Sequence, residues 1–275
     1  MTNIAVILAG GIGSRVGGPA PKQLLLLEDG RSILEHSIDA FEQAPCIDQI
    51  GIVMHKDYIA QAEAMVQCNG WKKVAWVIPG GDERWQSSVN ALNRIHKDIV
   101  DINAQEGQTK IDEESVNVLL HDAARPFVSQ QIIQDVCTAL THYKAVTVAL
   151  PATDTIYQVH YVNNENNFAS GDAGALARGY ANYGNNVNYG NNGDDCVIST
   201  IPPRQSIMYA QTPQAFRLTT ISEAYRLALQ DPNLQATDDC GIVHEYLPTT
   251  NIHIVPGSPS NRKITYPEDL NNQTR

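Results

Sequence analysis

Short apolar runs that alternate with amphipathic helical patterns constrain the fold more than any other feature of this sequence. The apolar runs predict buried strands at residues 4–8, 50–54, 74–78, 116–120, 145–150 and 252–255. The intervening segments predict helices at residues 58–66, 85–95, 130–143, 219–229 and 238–245, and a capping box at residues 32–35 opens another towards Phe41. This alternation predicts an α/β fold, with a Rossmann-like, mostly parallel sheet covered by helices on both faces.

Bulk properties narrow the range of partners. Of the 275 residues, 43% are hydrophobic, and the net charge of −11 argues against nucleic acid or an anionic membrane as a partner. No apolar run reaches the roughly 18 residues of a membrane span, and the apolar start lacks the basic region of a signal peptide. The five cysteines are scattered without a CxxC pair, so we expect a reduced, cytoplasmic protein. Such an acidic protein can bind an anionic ligand only where several of its few basic residues lie close together.

One segment breaks the pattern. Residues 160–198 are rich in Asn, Gly and Tyr, and the sequence Asn-Tyr-Gly-Asn-Asn occurs at 182–186 and again at 188–192. Such a composition cannot bury enough apolar surface to form a core. We expect an expanded loop tip there, with regular structure resuming near Ile198.

A glycine-rich turn with basic residues follows the first predicted strand. Residues 10–13 are Gly-Gly-Ile-Gly, and Arg15 and Lys22 come shortly after. Glycines at this point let backbone N–H groups approach phosphate oxygens, and the side chains of Arg15 and Lys22 add positive charge and hydrogen-bond donors. An ordinary βα turn is the alternative, but the two basic side chains favour a phosphate site. The turn matches neither the Walker A nor the GxGxxG pattern, which argues against an NAD-binding oxidoreductase.

A second glycine motif follows the third predicted strand. Gly81, Asp82 and Ser87 are candidates for a site that holds a base. Acidic residues at this position also begin helices, which is the structural alternative for Asp82 and Glu83. Arg84 either joins the site or braces the loop from inside.

An acidic and a basic residue follow the fourth predicted strand. Asp122 is a candidate Mg²⁺ ligand, because Mg²⁺ favours one or two carboxylates together with phosphate oxygens. Arg125 could meet an incoming phosphate, and we expect His121 to be structural. Weaker signals lie further on: Asp238 and Asp239 could cap a helix, and Gln-Thr-Pro-Gln at 211–214 could form a turn.

Taken in order, these motifs resemble the 2-C-methyl-D-erythritol 4-phosphate cytidylyltransferase family, whose close relatives make CDP-ribitol. The resemblance covers roughly residues 4–270 without the Asn-rich insert. Its specific blocks are His-Asp-Ala-Ala-Arg-Pro at 121–126, Gln-Thr-Pro-Gln-Ala-Phe at 211–216 and the run at 257–270. The resemblance implies a nucleotidyltransferase-type fold in a single domain, 1–275, with a protruding dimerisation arm at 151–212.

The resemblance also implies a role for each matching residue. The triphosphate and the reacting α-phosphate would be held by Arg15, Lys22 and Lys263. The nucleotide would be bound by Ala9, Gly10, Gly11, Gly13, Gly81, Asp82 and Ser87. Of these, the cytidine would be contacted by Ala9, Gly10, Gly11, Asp82 and Ser87. The acceptor would be bound by Arg125, Thr155, Arg204 and Thr237, and Mg²⁺ by Asp122. Thr155 and Arg204 belong to the arm and would complete the acceptor site of a partner subunit, which implies a homodimer.

The implied reaction joins CTP to a small alditol phosphate. The acceptor phosphate is already ionised at neutral pH, so catalysis requires orientation and charge neutralisation rather than a general base. Ala123, Ala124 and the Thr-Asp-Asp at 237–239 favour methylerythritol phosphate as the acceptor. Gly10 followed by Gly11 favours ribitol 5-phosphate, which stays open as the alternative. A third hypothesis is a catalytically silent nucleotide-binding protein, against which the intact Lys22, Asp122 and Lys263 argue.

Overall fold

The computed structural model describes residues 1–11, 21–162 and 195–270. The chain divides into a larger unit, from residues 1–13, 18–150 and 210–275, and a smaller unit, from residues 14–17 and 151–209. Gly13, Arg15 and most of the Asn-rich insert lie outside the described residues. Within those three stretches, no helix combines the length and apolar character that crossing a membrane requires.

Strands and helices alternate along the described chain much as the sequence predicts. The strands are β1 (Thr2–Ala9), β2 (Gln49–Met54), β3 (Val74–Pro79), β4 (Val116–Asp122), β5 (Ala145–Pro151), β6 (Gln158–Val162), β7 (Asp195–Thr200), β8 (Met208–Arg217) and β9 (Ile252–Pro256). The α-helices are α1 (Ile33–Glu42), α2 (Ile59–Asn69), α3 (Arg84–Asn103), α4 (Gln130–Ala139), α5 (Leu218–Ala228) and α6 (Asp239–Tyr246).

The larger unit is built on a seven-stranded sheet with the strand order β3-β2-β1-β4-β8-β5-β9. β1 runs parallel to β2 and β4, β2 runs parallel to β3, and β5 runs parallel to β9. β8 runs antiparallel to β4. The predicted mostly parallel α/β sheet is therefore confirmed.

Helices cover both faces of this sheet, and the side chains of β1 show how. Because successive side chains of a strand point to opposite faces, Ala5 and Ile7 pack with α1, α2 and α4, whereas Val6 and Leu8 pack with α3, α5 and α6. Residues 4–9 of β1 are all buried, which accounts for the continuous apolar run in the sequence.

Several predicted boundaries are wrong. Helix α3 continues to Asn103 rather than ending at residue 95, because its buried stripe extends through Ile99. Helix α4 ends at Ala139 instead of residue 143, and β7 begins at Asp195, before the predicted restart near Ile198. Residues 211–214, for which a turn was one alternative, are part of β8, whose pairing with β4 starts at Gln214, just after Pro213.

The smaller unit contains an antiparallel pair, β6 and β7. Ser199 Oγ donates to the Gln158 carbonyl at 2.9 Å and reinforces this pair. Nearby, the Ala152 N–H donates to the Ile207 carbonyl at 3.0 Å. The outer parts of the predicted insert, at both of its ends, are therefore strands rather than loop.

Candidate functional site

The carboxyl ends of four adjacent parallel strands, β3, β2, β1 and β4, lie at one edge of the sheet. The register pairs Leu8 of β1 with Asp122, Ala9 with Met54, and Met54 with Pro79. The loops after β1, β3 and β4 therefore leave the sheet at the same edge, with β2 between β1 and β3. Ligands of open α/β sheets bind beyond this edge, so the predicted motifs are brought together where a ligand is expected.

Two glycines allow the loops after β1 and β3 to touch. A Cβ on Gly10 would lie 2.9 Å from Ser87 Oγ, and a Cβ on Gly80 would lie 2.8 Å from Ser87 Oγ and 3.0 Å from the Gly10 Cα. Ser87 is buried at the start of α3, and its hydroxyl accepts the Gly81 N–H at 3.2 Å. The predicted base-site residues Gly81 and Ser87 thus hold each other, while Asp82 is exposed.

Gln23 fastens the glycine-rich turn from inside. It is 3% exposed, and its side-chain amide donates to the carbonyls of Ala9 and Gly11, the latter at 2.8 Å. Lys22 stands beside it and donates from Nζ to the Ile264 carbonyl at 2.8 Å. The turn that carries the predicted nucleotide contacts is therefore tied to the segment that carries Lys263.

Asp122 is the centre of a charged cluster. Its Oδ1 accepts Arg84 Nε at 3.0 Å, and its Oδ2 accepts Lys263 Nζ at 2.7 Å. Burial alone would raise the pKa of Asp122, but the charges of Lys263 and Arg84 outweigh burial and lower this pKa well below its usual range. The carboxylate is ionised at any pH at which the protein operates.

Arg84 braces the loop after β3 from inside, the structural alternative raised by the sequence. It bonds Asp239 as well as Asp122, with 2.5 Å between Nη1 and Asp239 Oδ2. Burial acts to lower the pKa of Arg84, but the two carboxylates raise it above its ordinary value. The helix-start alternative also applies, since Glu83 is the N-cap of α3.

His121 is structural, as expected. It is fully buried; its Nε2 lies 3.0 Å from the Arg125 carbonyl and its Nδ1 lies 3.0 Å from Thr212 Oγ1. A carbonyl only accepts, so Nε2 carries the proton and Nδ1 accepts the Thr212 hydroxyl. Burial lowers the pKa of His121 to about 4, which leaves the ring neutral near pH 7.

The C-terminal segment is clamped onto the loop after β4. Arg125 Nη1 donates to the Asn261 carbonyl at 2.9 Å, and the Ile264 N–H donates to the Ala124 carbonyl at 2.8 Å. Asn261 Nδ2 donates to the Thr212 carbonyl at 2.8 Å. These bonds bring Lys263 to Asp122. They also give Arg125 a structural task besides its predicted contact with the acceptor.

The remaining predicted acceptor residues lie in two places. Thr237 is exposed and precedes α6, where Asp238 is the N-cap and accepts the Gly241 N–H at 2.7 Å. Thr155 and Arg204 are together in the smaller unit, with Arg204 Nη2 donating to Thr155 Oγ1 at 3.3 Å. The structure therefore pairs the two predicted arm residues with each other.

The donor set determines what kind of metal site is possible. Residues 1–11, 21–162 and 195–270 contain no cluster of three or more His, Cys, Asp or Glu side chains that could hold a metal ion by themselves. Asp122 offers one ionised carboxylate, whose oxygens each already accept one hydrogen bond. A single carboxylate fits Mg²⁺ that also takes phosphate oxygens from a ligand, and it does not fit a resident metal held by the protein alone.

Sequence reasoning missed several residues that shape the site. Gln23 and Thr212 stand inside motifs that were recognised, yet each looked like an ordinary loop or turn residue. Asn261 preceded a recognised lysine without a signal of its own. Their common feature is burial of a short polar side chain next to a motif, and sequence alone does not report burial.

Known proteins resemble this chain along nearly its whole length. The family model described as 2-C-methyl-D-erythritol 4-phosphate cytidylyltransferase matches residues 3–167 and 187–274. The protein of that name from Thermobifida fusca is 39% identical over 266 residues, 97% of this chain and 89% of its own length. A Haemophilus influenzae protein, named bifunctional ribulose 5-phosphate reductase/CDP-ribitol pyrophosphorylase Bcs1, is 33% identical over 268 residues, 98% of this chain and 46% of its own length.

Solved structures agree in fold. The 4-diphosphocytidyl-2C-methyl-D-erythritol synthase of Anaerococcus prevotii matches with a TM-score of 0.68 and 24% identity, covering 98% of this chain and 92% of its own. The 2-C-methyl-D-erythritol 4-phosphate cytidylyltransferase of Francisella tularensis matches with a TM-score of 0.66 and 24% identity, covering 98% and 97%. With the family model spanning most of the sequence, the chain belongs to the 2-C-methyl-D-erythritol 4-phosphate cytidylyltransferase family.

Proposed function

We propose that the protein transfers the cytidylyl group of CTP to 2-C-methyl-D-erythritol 4-phosphate and releases pyrophosphate, a step in isoprenoid precursor synthesis. The observation that carries the proposal is the Lys263–Asp122 ion pair at the sheet edge where the loops after β1 and β3 meet. Membership of the family supplies the reaction, and the charged cluster supplies groups suited to a triphosphate.

The nucleotide is bound by the loops after β1 and β3. Ala9, Gly10, Gly11 and Gly13 belong to this nucleotide site, and Arg15 meets the triphosphate. Gly81, Asp82 and Ser87 contact the cytidine. Glycines allow this close approach because a Cβ at Gly10 or Gly80 has no room.

Positively charged side chains stabilise the transition state of the chemical step. The acceptor phosphate oxygen attacks the α-phosphorus of CTP in line, a bond forms between them, and the bond from the α-phosphorus to the bridging oxygen breaks as pyrophosphate leaves. Arg15, Lys22 and Lys263 neutralise the charge that develops on the α-phosphate and the leaving group. No proton has to be removed from the acceptor, so no side chain serves as general base.

Asp122 is the residue that would hold Mg²⁺. The lowered pKa of Asp122 keeps it ionised, and phosphate oxygens of the nucleotide would supply the other ligands that Mg²⁺ favours. When bound there, Mg²⁺ supplies further neutralisation of the triphosphate charge. Lys263 holds the same carboxylate from the other oxygen and so keeps it at the edge of the site.

The acceptor is bound by groups from two subunits of a homodimer. Arg125 and Thr237 belong to the same unit as the nucleotide site. Thr155 and Arg204 belong to the arm and reach the acceptor site of the partner. Arg204 and Thr155 are hydrogen-bonded to each other and both exposed, which supports a joint role in meeting a phosphate.

A pyrophosphate-release assay tests the function. The purified protein is given CTP and Mg²⁺ with either 2-C-methyl-D-erythritol 4-phosphate or ribitol 5-phosphate, and kcat/KM is compared. We expect a clear preference for the methylerythritol acceptor. Ribitol 5-phosphate is the second candidate because of the 33% identity to the Haemophilus influenzae relative.

The outcomes separate the hypotheses. A preference for ribitol 5-phosphate would replace the acceptor and keep the cytidylyl transfer. Absence of pyrophosphate release with both acceptors would support a silent nucleotide-binding protein. An Asp122→Ala variant serves as the inactive reference, since it removes the centre of the charged cluster.

A further inference from the structure

Arg84 joins two carboxylates that come from distant parts of the larger unit. Its Nε bonds Asp122 at the end of β4, and its Nη1 bonds Asp239 at the start of α6, at 3.0 and 2.5 Å. A guanidinium is planar and presents its donors in a fixed geometry. The two bonds therefore fix the position of one carboxylate relative to the other.

Asp239 is the buried anchor of this chain of contacts. Its side chain is 0% exposed, and its second oxygen accepts the Tyr225 hydroxyl at 2.6 Å. Burial and the Asp239 charge raise the pKa of Tyr225, so the hydroxyl remains a donor. The Asp239 backbone N–H donates to Gln214 Oε1 at 3.0 Å, so the residue is restrained through both backbone and side chain.

Stability is a weak explanation for these contacts of Arg84. A buried ion pair is often no more stable than apolar residues of similar size. In the described part of the chain, Arg84 Nη2 is also buried without a hydrogen-bond partner. Arg84 thus leaves one donor unsatisfied while it spans Asp122 and Asp239, which a purely stabilising role does not require.

We propose that Asp239 is a positioning residue for cytidylyl transfer, which acts through Arg84 to fix the Asp122 carboxylate beside Lys263. The inference rests on the proposed function, in which Asp122 and Lys263 meet the triphosphate. Thr237 lies two residues before Asp239. The same contacts therefore tie the segment that binds the acceptor to the carboxylate on the nucleotide side, and orientation of the two reactants depends on Asp239.

Two variants test the inference. Asp239→Asn keeps the shape and an acceptor for Tyr225 but loses the charge that holds Arg84. We expect kcat to fall by about ten- to a hundredfold, the usual effect of losing a residue that holds a ligand-binding side chain in place. The KM for CTP should change much less. Arg84→Lys keeps the charge, but one ammonium cannot span both carboxylates, so a similar loss is expected.

Tyr225→Phe is the matched control. It removes the other side-chain bond to Asp239 and leaves the Arg84 pair intact. We expect a lower Tm with kcat close to that of the wild type. The inference is overturned if folded Asp239→Asn turns over at the wild-type rate, or if Tyr225→Phe loses as much kcat as Asp239→Asn.

A crystal structure of Asp239→Asn gives a readout that does not depend on activity. We expect the Asp122 carboxylate to turn away from Lys263, and an unchanged contact between them contradicts the inference. The wild-type assay separates the two levels of the argument. An inactive wild type defeats the proposed function and the inference together, whereas an active wild type with unimpaired Asp239→Asn defeats the inference alone.

Discussion

Lys263 Nζ lies 2.7 Å from Asp122 Oδ2, although 141 residues separate the two in the sequence. The lysine side chain is 40% exposed and the carboxylate 12% exposed, so the pair stands at the boundary between the interior and solvent. The Lys263 side chain is therefore accessible from solvent while it stays paired with the carboxylate. The pair is the point where the C-terminal segment contributes to the site after β4.

Removing one positively charged side chain from the site should slow the chemical step. We expect Lys22→Ala, Arg15→Ala and Lys263→Ala each to lower kcat by about a hundredfold or more, the usual effect of removing one preorganised donor. Steady-state kinetics with saturating CTP and acceptor measure this. Lys97→Ala is the control, because Lys97 is an exposed lysine paired with a neighbour on its own helix. Near-normal turnover in Lys22→Ala and Arg15→Ala contradicts the mechanism.

The glycine contact between two loops should be sensitive to one methyl group. In Gly80→Ala, the new Cβ meets both Ser87 Oγ and the Gly10 Cα, so the two loops must separate. We expect weaker CTP binding in calorimetry and a lower Tm. Gly11→Ala is the comparison, since its Cβ meets no described atom within 4 Å, and the Tm without ligand should not change. Equal Tm losses in both variants would show that loop separation is not the cause.

The sheet was predictable because it depends on patterns that sequence displays directly. Uninterrupted burial makes a strand such as β1 visible as an apolar run, and the capping box at Ser32 marks the start of α1. β8 was not predictable by the same reasoning, since Pro213 is typical of turns and unfavourable in central strands. Its pairing with β4 begins at Gln214, so the missing N–H removes no bond from that ladder.

The site was predictable only where a residue type carries the chemistry. Glycines after a strand, and basic or acidic side chains near them, marked Lys22 and Asp122 as candidates for phosphate and metal roles, which stay predictions, and the structure places both residues at the same edge of the sheet. Gln23, Thr212 and Asp239 act by burial and long-range contact. Their partners lie 14, 91 and 155 residues away in the sequence, and no local pattern encodes such distances.

The close contact between Gly51 and the Trp76 ring allows the packing of the core to be tested by substitution. A Cβ on Gly51 of β2 would lie 1.9 Å from the Trp76 ring, which fills the space over the glycine. We expect Gly51→Ala to lower the free energy of unfolding by about 1–3 kcal/mol, the usual cost of overpacking. Chemical denaturation measures this. The double variant Gly51→Ala/Trp76→Leu should be less destabilised than the sum of the single variants, and strict additivity would contradict the contact.

The buried ring of His121 should make stability depend on pH. In the folded protein, His121 takes up a proton only when the pH falls to its pKa of about 4. In the unfolded chain, the same ring takes up a proton when the pH falls to its ordinary pKa of 6.5. The unfolded state therefore takes up the proton first as the pH falls. The contribution of His121 to the free energy of unfolding is fully present above about pH 6.5 and is lost, by about 3 kcal/mol, as the pH falls to about 4.

Denaturation curves between pH 7 and about pH 4 measure this dependence. In His121→Gln, which carries no titrating group, we expect lower stability at pH 7 because the buried bonds to Thr212 and the Arg125 carbonyl are disturbed, but a flatter decline with pH. His142→Gln is the control, since His142 is exposed, and it should keep the wild-type slope. If His121→Gln and the wild type decline in parallel, His121 is not the group whose protonation opposes folding in this range.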